Sequence, residues 1–221
     1  MKRLNKLIHK MTVILCLLLM PVACAACSGN NSDAQPEAAD TPSTPKTLQM
    51  PPLPPSPSGT AFIVISKRDL KLWVYDRNAK GDTVVVAQFP CCMGKNKGNK
   101  QQRGDMRTPE SPTGRPFKIT MIQDASTWKH DFHDGRGNIL AYGHWFLRLL
   151  TPGFKSIGIH GSTNNEHSVP GRTSEGCIRL LDKDIITLKE HFAYVGMPVI
   201  VQAENAAPYP WESRARQAST K

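Results

Sequence analysis

Cys177 lies in the polar, glycine-bearing run "GRTSEGCIRLLDKD" (171–184), between Gly176 and Ile178-Arg179-Leu180. A thiol kept only for packing sits among apolar neighbours, whereas one on a polar turn is open to a reactant. Gly176 removes a side chain beside the sulfur and lets a carbonyl approach it. The backbone N–H groups of Gly176 and Cys177 could then face the oxyanion that attack creates. A helix is expected just after this turn, and its N-terminus together with Arg179 would favour the thiolate. The thiol also needs a proton acceptor. His160, in "SIGIHGST", follows an alternating stretch and precedes Gly161, which puts an imidazole at a strand end. Cysteine and histidine at the ends of neighbouring elements form the minimal pair for acyl transfer. Singly, each would read as an inert core residue; their shared setting on glycine-flanked turns is what points to chemistry.

The elements that must hold this pair are mostly strands. "AFIVISKRDLKLWVYD" (61–76) reads as two short strands joined at Lys67-Arg68-Asp69, and "DTVVVAQFPCC" as a third after the "NAKGD" turn. "RPFKITMIQD", "WFLRLL", "SIGIHG" and "MPVIVQA" are further strand candidates between Gly, Pro and Asn/Asp punctuation. Leu181, Ile185, Leu188, Phe192 and Val195 recur at helical spacing, with Asp182 as the expected N-cap and Gly196 and Pro198 as the stop. The expected fold is therefore mostly β, a sandwich or partly closed barrel, with one main helix after the cysteine. A repeating βαβ enzyme is excluded.

"IHGSTN…RTSEGCIRL" resembles the bacterial L,D-transpeptidase catalytic domain family, whose hallmark is a His-Gly pair followed by Ser/Thr-x-Gly-Cys-Ile/Val-Arg/Asn. "TPESPTGRPFKI" is similar to the family's Thr-Pro-x-Gly strand, and "FIVISKRDLKLWVYD" to its opening hairpin. The resemblance spans about 61–202. It implies a nucleophile at Cys177, a proton donor and acceptor at His160, the Gly161 carbonyl as the group orienting that histidine, and Gly176 in the oxyanion hole. It also implies Arg179 and Ser174 as substrate-contacting positions, a planar guanidinium suiting a carboxylate. Many members read Ser-His-Gly-Cys where this chain has Ser174-Glu175-Gly176-Cys177, so no second catalytic imidazole is expected there. The segment 128–148 resembles a family-variable insertion, expected to form a lid.

The implied activity is thioester acyl transfer on peptidoglycan stem peptides, cross-linking or remodelling the wall, with hydrolysis by an L,D-carboxypeptidase as the alternative. Neither metal nor organic cofactor is required. A zinc site from His130, His133, His144 and His167 is the rival from another class, but their spacing over a Gly- and Asp-rich loop is irregular. A purely binding domain with an inert Cys177 would be expected to have lost Cys177 or His160.

Residues 1–27 read as a signal peptide: four basic residues and no acid in "MKRLNKLIHK", an apolar core, then "ACAAC". The cysteines there resemble a lipoprotein signal, with Cys27, or alternatively Cys24, lipidated. Residues 28–59 are rich in Pro, Ser, Ala and Asp and are expected to be a disordered tether. The catalytic domain is expected over 60–203 and a polar tail over 204–221. The protein is then expected to be exported, monomeric and anchored in the cell envelope. Of the net charge of +10, four units belong to Lys2, Arg3, Lys6 and Lys10, which leaves +6 after cleavage. The basic run 94–107 could face an acidic polymer or only solvent, and no nucleic-acid motif accompanies it. Cys91 and Cys92, adjacent on a strand, point to opposite faces and cannot easily bridge each other; either could pair with Cys177 and quench it.

Overall fold

The computed structural model describes residues 50–218. The leader with Cys24 and Cys27, the tether up to residue 49, and residues 219–221 lie outside the described residues. The elements run in the order β1 Phe62–Ser66, β2 Lys71–Arg77, β3 Thr83–Pro90, β4 Cys92–Gly94, β5 Phe117–Asp124, β6 Lys129–Asp131, β7 Asn138–Leu140, β8 Trp145–Leu149 and β9 Gly158–His160. A 3-10 turn at Glu166–Ser168 follows, then β10 Gly171–Ser174, β11 Ile178–Arg179, α1 Asp182–His191, β12 Pro198–Gln202 and α2 Pro210–Ala218.

Ten strands form one mixed ladder, ordered β10-β4-β11-β9-β8-β5-β12-β1-β2-β3, and β6-β7 stands as a hairpin of its own. The two halves share β5: its first residues pair with β12, and from Ile119 onward it pairs with β8, with a register shift between Ile119 and Met121. A bulge of this kind bends a strand and lets it serve two sheets. The sandwich expected from the sequence is thus one bent sheet folded over a common core. Ile63, Ile65, Leu72 and Val74 from one half meet Leu147, Ile159 and Ile178 from the other, with Ile185 and Leu188 of α1 packed among them.

β1 to β3 are apolar on both faces. Val64, Trp73, Tyr75 and Val85 turn away from the main core and form a second cluster with Ala215 of α2, against which Met50 and Trp211 pack. A bulge between Val74 and Tyr75 moves the β3 partners, so Val85 joins this outer face while Ala87 joins the inner one. Trp211 meets Phe62 and Tyr75 edge-on, at 5.3 and 5.1 Å between centroids, and the Arg216 guanidinium lies 3.8 Å above the Trp73 ring. This corrects the expected polar tail: 210–218 is a helix that buries a sheet face. The tether is corrected in the same way. Within 50–59, Met50 packs on the second cluster, the Pro54 carbonyl accepts from His191 Nδ1 at 2.5 Å, and the Ser58 hydroxyl donates to Asp76.

Candidate active site

The pairing of β9 with β11 assembles the site. These strands run parallel with Ile178 opposite Ile159 and Arg179 opposite His160. Alternation along each strand then turns Arg179 and His160 to one face, and Cys177, two residues before Arg179, to the same side. The Leu180 N–H donates to the His160 carbonyl at 2.8 Å, which locks the register. His160, Cys177 and Arg179 together line a cavity of about 580 Å³.

His160 is buried at 3 % exposure between two aromatic rings. Phe146 stacks on it at 5.6 Å with a 12° interplanar angle, and Tyr142 lies at 4.8 Å. Nδ1 is 2.7 Å from the Gly161 carbonyl oxygen. A carbonyl only accepts, so Nδ1 carries the hydrogen and Nε2 keeps its lone pair. Burial, with the positive charges of Arg179 and His130, pulls the imidazole down to a pKa of about 3, against the opposing pull of the Gly161 bond. It is therefore neutral at neutral pH, with a free acceptor nitrogen.

Cys177 is free, and its Sγ lies 3.4 Å from the Ser156 carbonyl. Burial pushes the thiol above its ordinary value, and the Gly158 backbone, Arg179 and Lys100 offset this only partly. This corrects the expected thiolate. The helix that was to stabilise it does not begin at the cysteine, because β11 intervenes and α1 starts at Asp182. The resting pair is thus thiol and neutral imidazole.

The turn before the cysteine is shaped by Ser174 and Gly176. The Ser174 hydroxyl donates to the Cys177 carbonyl at 2.6 Å and accepts from the Gly176 N–H at 3.1 Å. Ser174 is therefore a brace of the turn, 1 % exposed, although it also borders the cavity. The Gly176 N–H, expected in an oxyanion hole, is engaged by this brace. Gly176 itself has φ +136°, and a Cβ there would lie 2.7 Å from the Arg107 carbonyl. Only glycine suits that position.

Arg179 is 4 % exposed, with Nη1 3.4 Å from Thr173 Oγ1, its guanidinium 5.0 Å from the Phe132 ring centre, and Nε without a hydrogen-bond partner. A buried guanidinium with donors to spare can take a planar anion. Lys100, Arg103 and Lys155 add positive charge to the cavity wall. The basic run is thus partly turned inward: Lys100 is buried and paired with Asp105 at 2.7 Å, and Asp105 also accepts the N–H groups of Gln101, Gln102 and Arg107.

The segment 128–148 divides. Trp145–Leu149 is a main-sheet strand, and the hairpin β6–β7 forms a roof. His130 lies 3.2 Å from the Glu175 carboxylate, and Arg136 donates to Asn164 O and Asn165 Oδ1 at 2.7 and 2.8 Å. The four histidines weighed for zinc are dispersed, and among the described residues no three His, Cys, Asp or Glu side chains gather as a metal site needs. Cys91 and Cys92 are buried and free, and neither is bonded to Cys177. Sequence reasoning missed Phe146 of β8, Tyr142 from the segment before β8, Phe132 just after β6, and Asp182. The last was expected to cap α1, but Leu181 occupies the N-cap. The Asp182 carboxylate instead accepts the Ser162 N–H at 2.7 Å and the Thr163 hydroxyl.

Cys177, His160 and the buried Arg179 thus meet at adjoining strand ends of a bent mixed sheet. Residues 60–201 match the L,D-transpeptidase catalytic domain (YkuD), and the chain belongs to that family. No curated protein matches the sequence. Among solved structures it is similar to Bd1075 of Bdellovibrio bacteriovorus, at 18 % identity and a TM-score of 0.46 over 77 % of this chain and 57 % of that one. It is also similar to the helical cell shape determining protein Pgp2 of Campylobacter jejuni, at 18 % and 0.46 over 73 % and 52 %. An L,D-transpeptidase from Mycobacterium smegmatis gives 20 % and 0.44 over 65 % and 58 %. The match spans little more than half the length of each of these three structures.

Proposed function

We propose that the protein is an L,D-transpeptidase acting on peptidoglycan stem peptides through a thioester on Cys177. The observation that carries this is the register of β9 against β11, which brings His160, Cys177 and Arg179 to the wall of one cavity. Arg179 holds a carboxylate of the donor stem. Pairing with that anion also offsets one of the charges that depress His160, so the base strengthens as substrate arrives. His160 Nε2 takes the thiol proton while Sγ attacks the carbonyl of the L-centre of the third, diamino acid residue. The terminal D-residue leaves with its amine protonated by His160. An amine of a neighbouring stem then attacks the thioester and gives its proton to the imidazole, and the thiol is regenerated as the amide forms. The Cys177 N–H is assigned to the oxyanion; the Gly176 N–H can join it only by leaving Ser174.

Mass spectrometry of products from purified tetrapeptide muropeptides tests this. Cross-linked dimers are expected. Tripeptides alone would show water as the acceptor and make the enzyme an L,D-carboxypeptidase, and unchanged substrate would overturn the reading. We also propose that the protein is exported and held at a membrane by lipid on Cys27. The support is the basic, apolar and small-residue order of 1–27. Cys27→Ala should move the protein out of the membrane fraction; release by Cys24→Ala instead would place the lipid there.

A further inference from the structure

His160 Nδ1 meets a backbone carbonyl where a catalytic triad would place a carboxylate, yet one carboxylate is linked to it through the backbone. A trans peptide unit is planar, and its C=O and N–H point in opposite directions. In the unit joining Gly161 to Ser162, the C=O receives His160 Nδ1–H at 2.7 Å and the N–H donates to Asp182 Oδ1 at 2.7 Å. The two bonds are the opposite ends of one rigid dipole. Its position is fixed from both sides: the Gly161 N–H donates to the Tyr142 carbonyl at 2.7 Å, and the Thr163 hydroxyl holds the second carboxylate oxygen. The seat is cleared for the carboxylate by two glycines. A Cβ on Gly143 would lie 2.7 Å from both Asp182 Oδ1 and Gly161 Cα, and one on Gly161 would collide with the same oxygen.

We propose that Asp182 is the positioning residue of this site, supplying through the Gly161–Ser162 peptide the negative charge that a catalytic triad places directly against its histidine. A carboxylate on the N–H end polarises the unit and strengthens its carbonyl as an acceptor. The carbonyl then holds the imidazole in the tautomer with Nε2 free, and favours the positive charge that develops when Nε2 takes the thiol proton. This opposes Arg179 and His130, whose charges disfavour that proton. A tie between α1 and the loop would need only the shape of Asp182; the proposed role needs its charge.

The proposal rests on Cys177 and His160 acting as nucleophile and base, so its test reads the thiol without any stem peptide. The full chain is treated with iodoacetamide and the alkylation rate at Cys177 is followed by peptide mass. Asp182→Asn keeps the acceptor for the Ser162 N–H and removes the charge. It should slow alkylation by about fivefold to tenfold, the difference between a charged and a neutral hydrogen bond, with the melting temperature little changed. Asp184→Asn, which removes a charge from the same helical turn, should stay within about twofold, since it is Asp182 and not Asp184 that accepts the Ser162 N–H. An Asp182→Asn protein that alkylates at the wild-type rate, or a slowing equal to that of Asp184→Asn, overturns the proposal. Should Asp182→Asn not fold, Thr163→Val decides: loosening the carboxylate should lower the rate, and an unchanged rate overturns the proposal. If His160→Gln leaves the alkylation rate of Cys177 unchanged, it is the assignment of His160 as its base that fails instead.

Discussion

His160 and Cys177 stand on or beside strands paired on both sides, β9 between β8 and β11, and β11 between β9 and β4. The hairpin above them is paired only with itself and is held down by side chains, through His130 to Glu175 and Arg136 to the 164–165 backbone and amide. The floor of the cleft is fixed by backbone register and buried packing. The roof is fixed by polar contacts at or near the surface, which solvent screens. A two-stranded hairpin is marginal by itself, so the roof can yield without disturbing the Cys–His pair beneath it. On the proposed function, chemistry would belong to the floor and admission of the stem peptide to the roof.

The largest effect should come from the floor. Cys177→Ala should lower turnover by about 10⁴-fold or more while leaving the fold intact, whereas Cys91→Ser and Cys92→Ser, on buried thiols away from the cavity, should keep most of it. Retained stem processing by the Cys177 variant would dissolve the comparison. His160→Gln should cost about 10²- to 10⁴-fold, the range for a general base. Gly176→Ala should reduce both activity and stability, by about 1–3 kcal/mol for the latter, because its backbone is left-handed and the Arg107 carbonyl closes the space. A melting temperature equal to wild type would show that the turn is looser than its geometry implies.

The buried imidazole also makes the floor sensitive to acid. The folded His160 titrates near 3 and the unfolded one near 6.5, so between those values the unfolded chain binds more protons and stability falls as pH is lowered. The melting temperature should therefore decline from about pH 6.5 towards 3, and His160→Phe should flatten that slope. A slope unchanged in the variant would mean another group is responsible. The roof should give the smallest effects. Glu175→Gln and Arg136→Ala should each change kcat/KM by no more than about fivefold, in KM rather than kcat, as exposed pairs do. A fall in kcat equal to that of His160→Gln would place Glu175 in the floor's chemistry.

The same division explains what was legible in the sequence. β12 and α1 announce themselves because alternation and helical spacing follow from one buried face, and β1 and β2 because both their faces are buried and their branched apolar residues run on. Cys177 and His160 stand out because their residue types contradict their polar settings. The short pieces do not: β10 and β11 hold four and two residues and owe their existence to partners far along the chain. α2 looked like a tail because only Trp211 and Ala215 are apolar contacts, while Glu212 is buried by bonding Gln202, the Tyr209 N–H and Arg216. Asp182 precedes a helical pattern, so local reading makes it a cap; its actual partners, Ser162 and Thr163, are brought to it by the β9–β11 pairing. The thiolate expectation failed for a related reason, since burial, which raises the thiol, is a property of the assembled sheet.

The central claim is that Cys177 carries the acyl group. Full-chain protein mixed with a tetrapeptide stem and quenched with acid within the first turnover can be digested and weighed peptide by peptide. The account predicts that the peptide holding Cys177 gains the mass of the stem less its terminal D-residue, that the adduct is cleaved by hydroxylamine as a thioester is, and that it is lost in Cys177→Ala. An adduct on Cys91, Cys92 or any other residue, or turnover with no adduct at all, would contradict it.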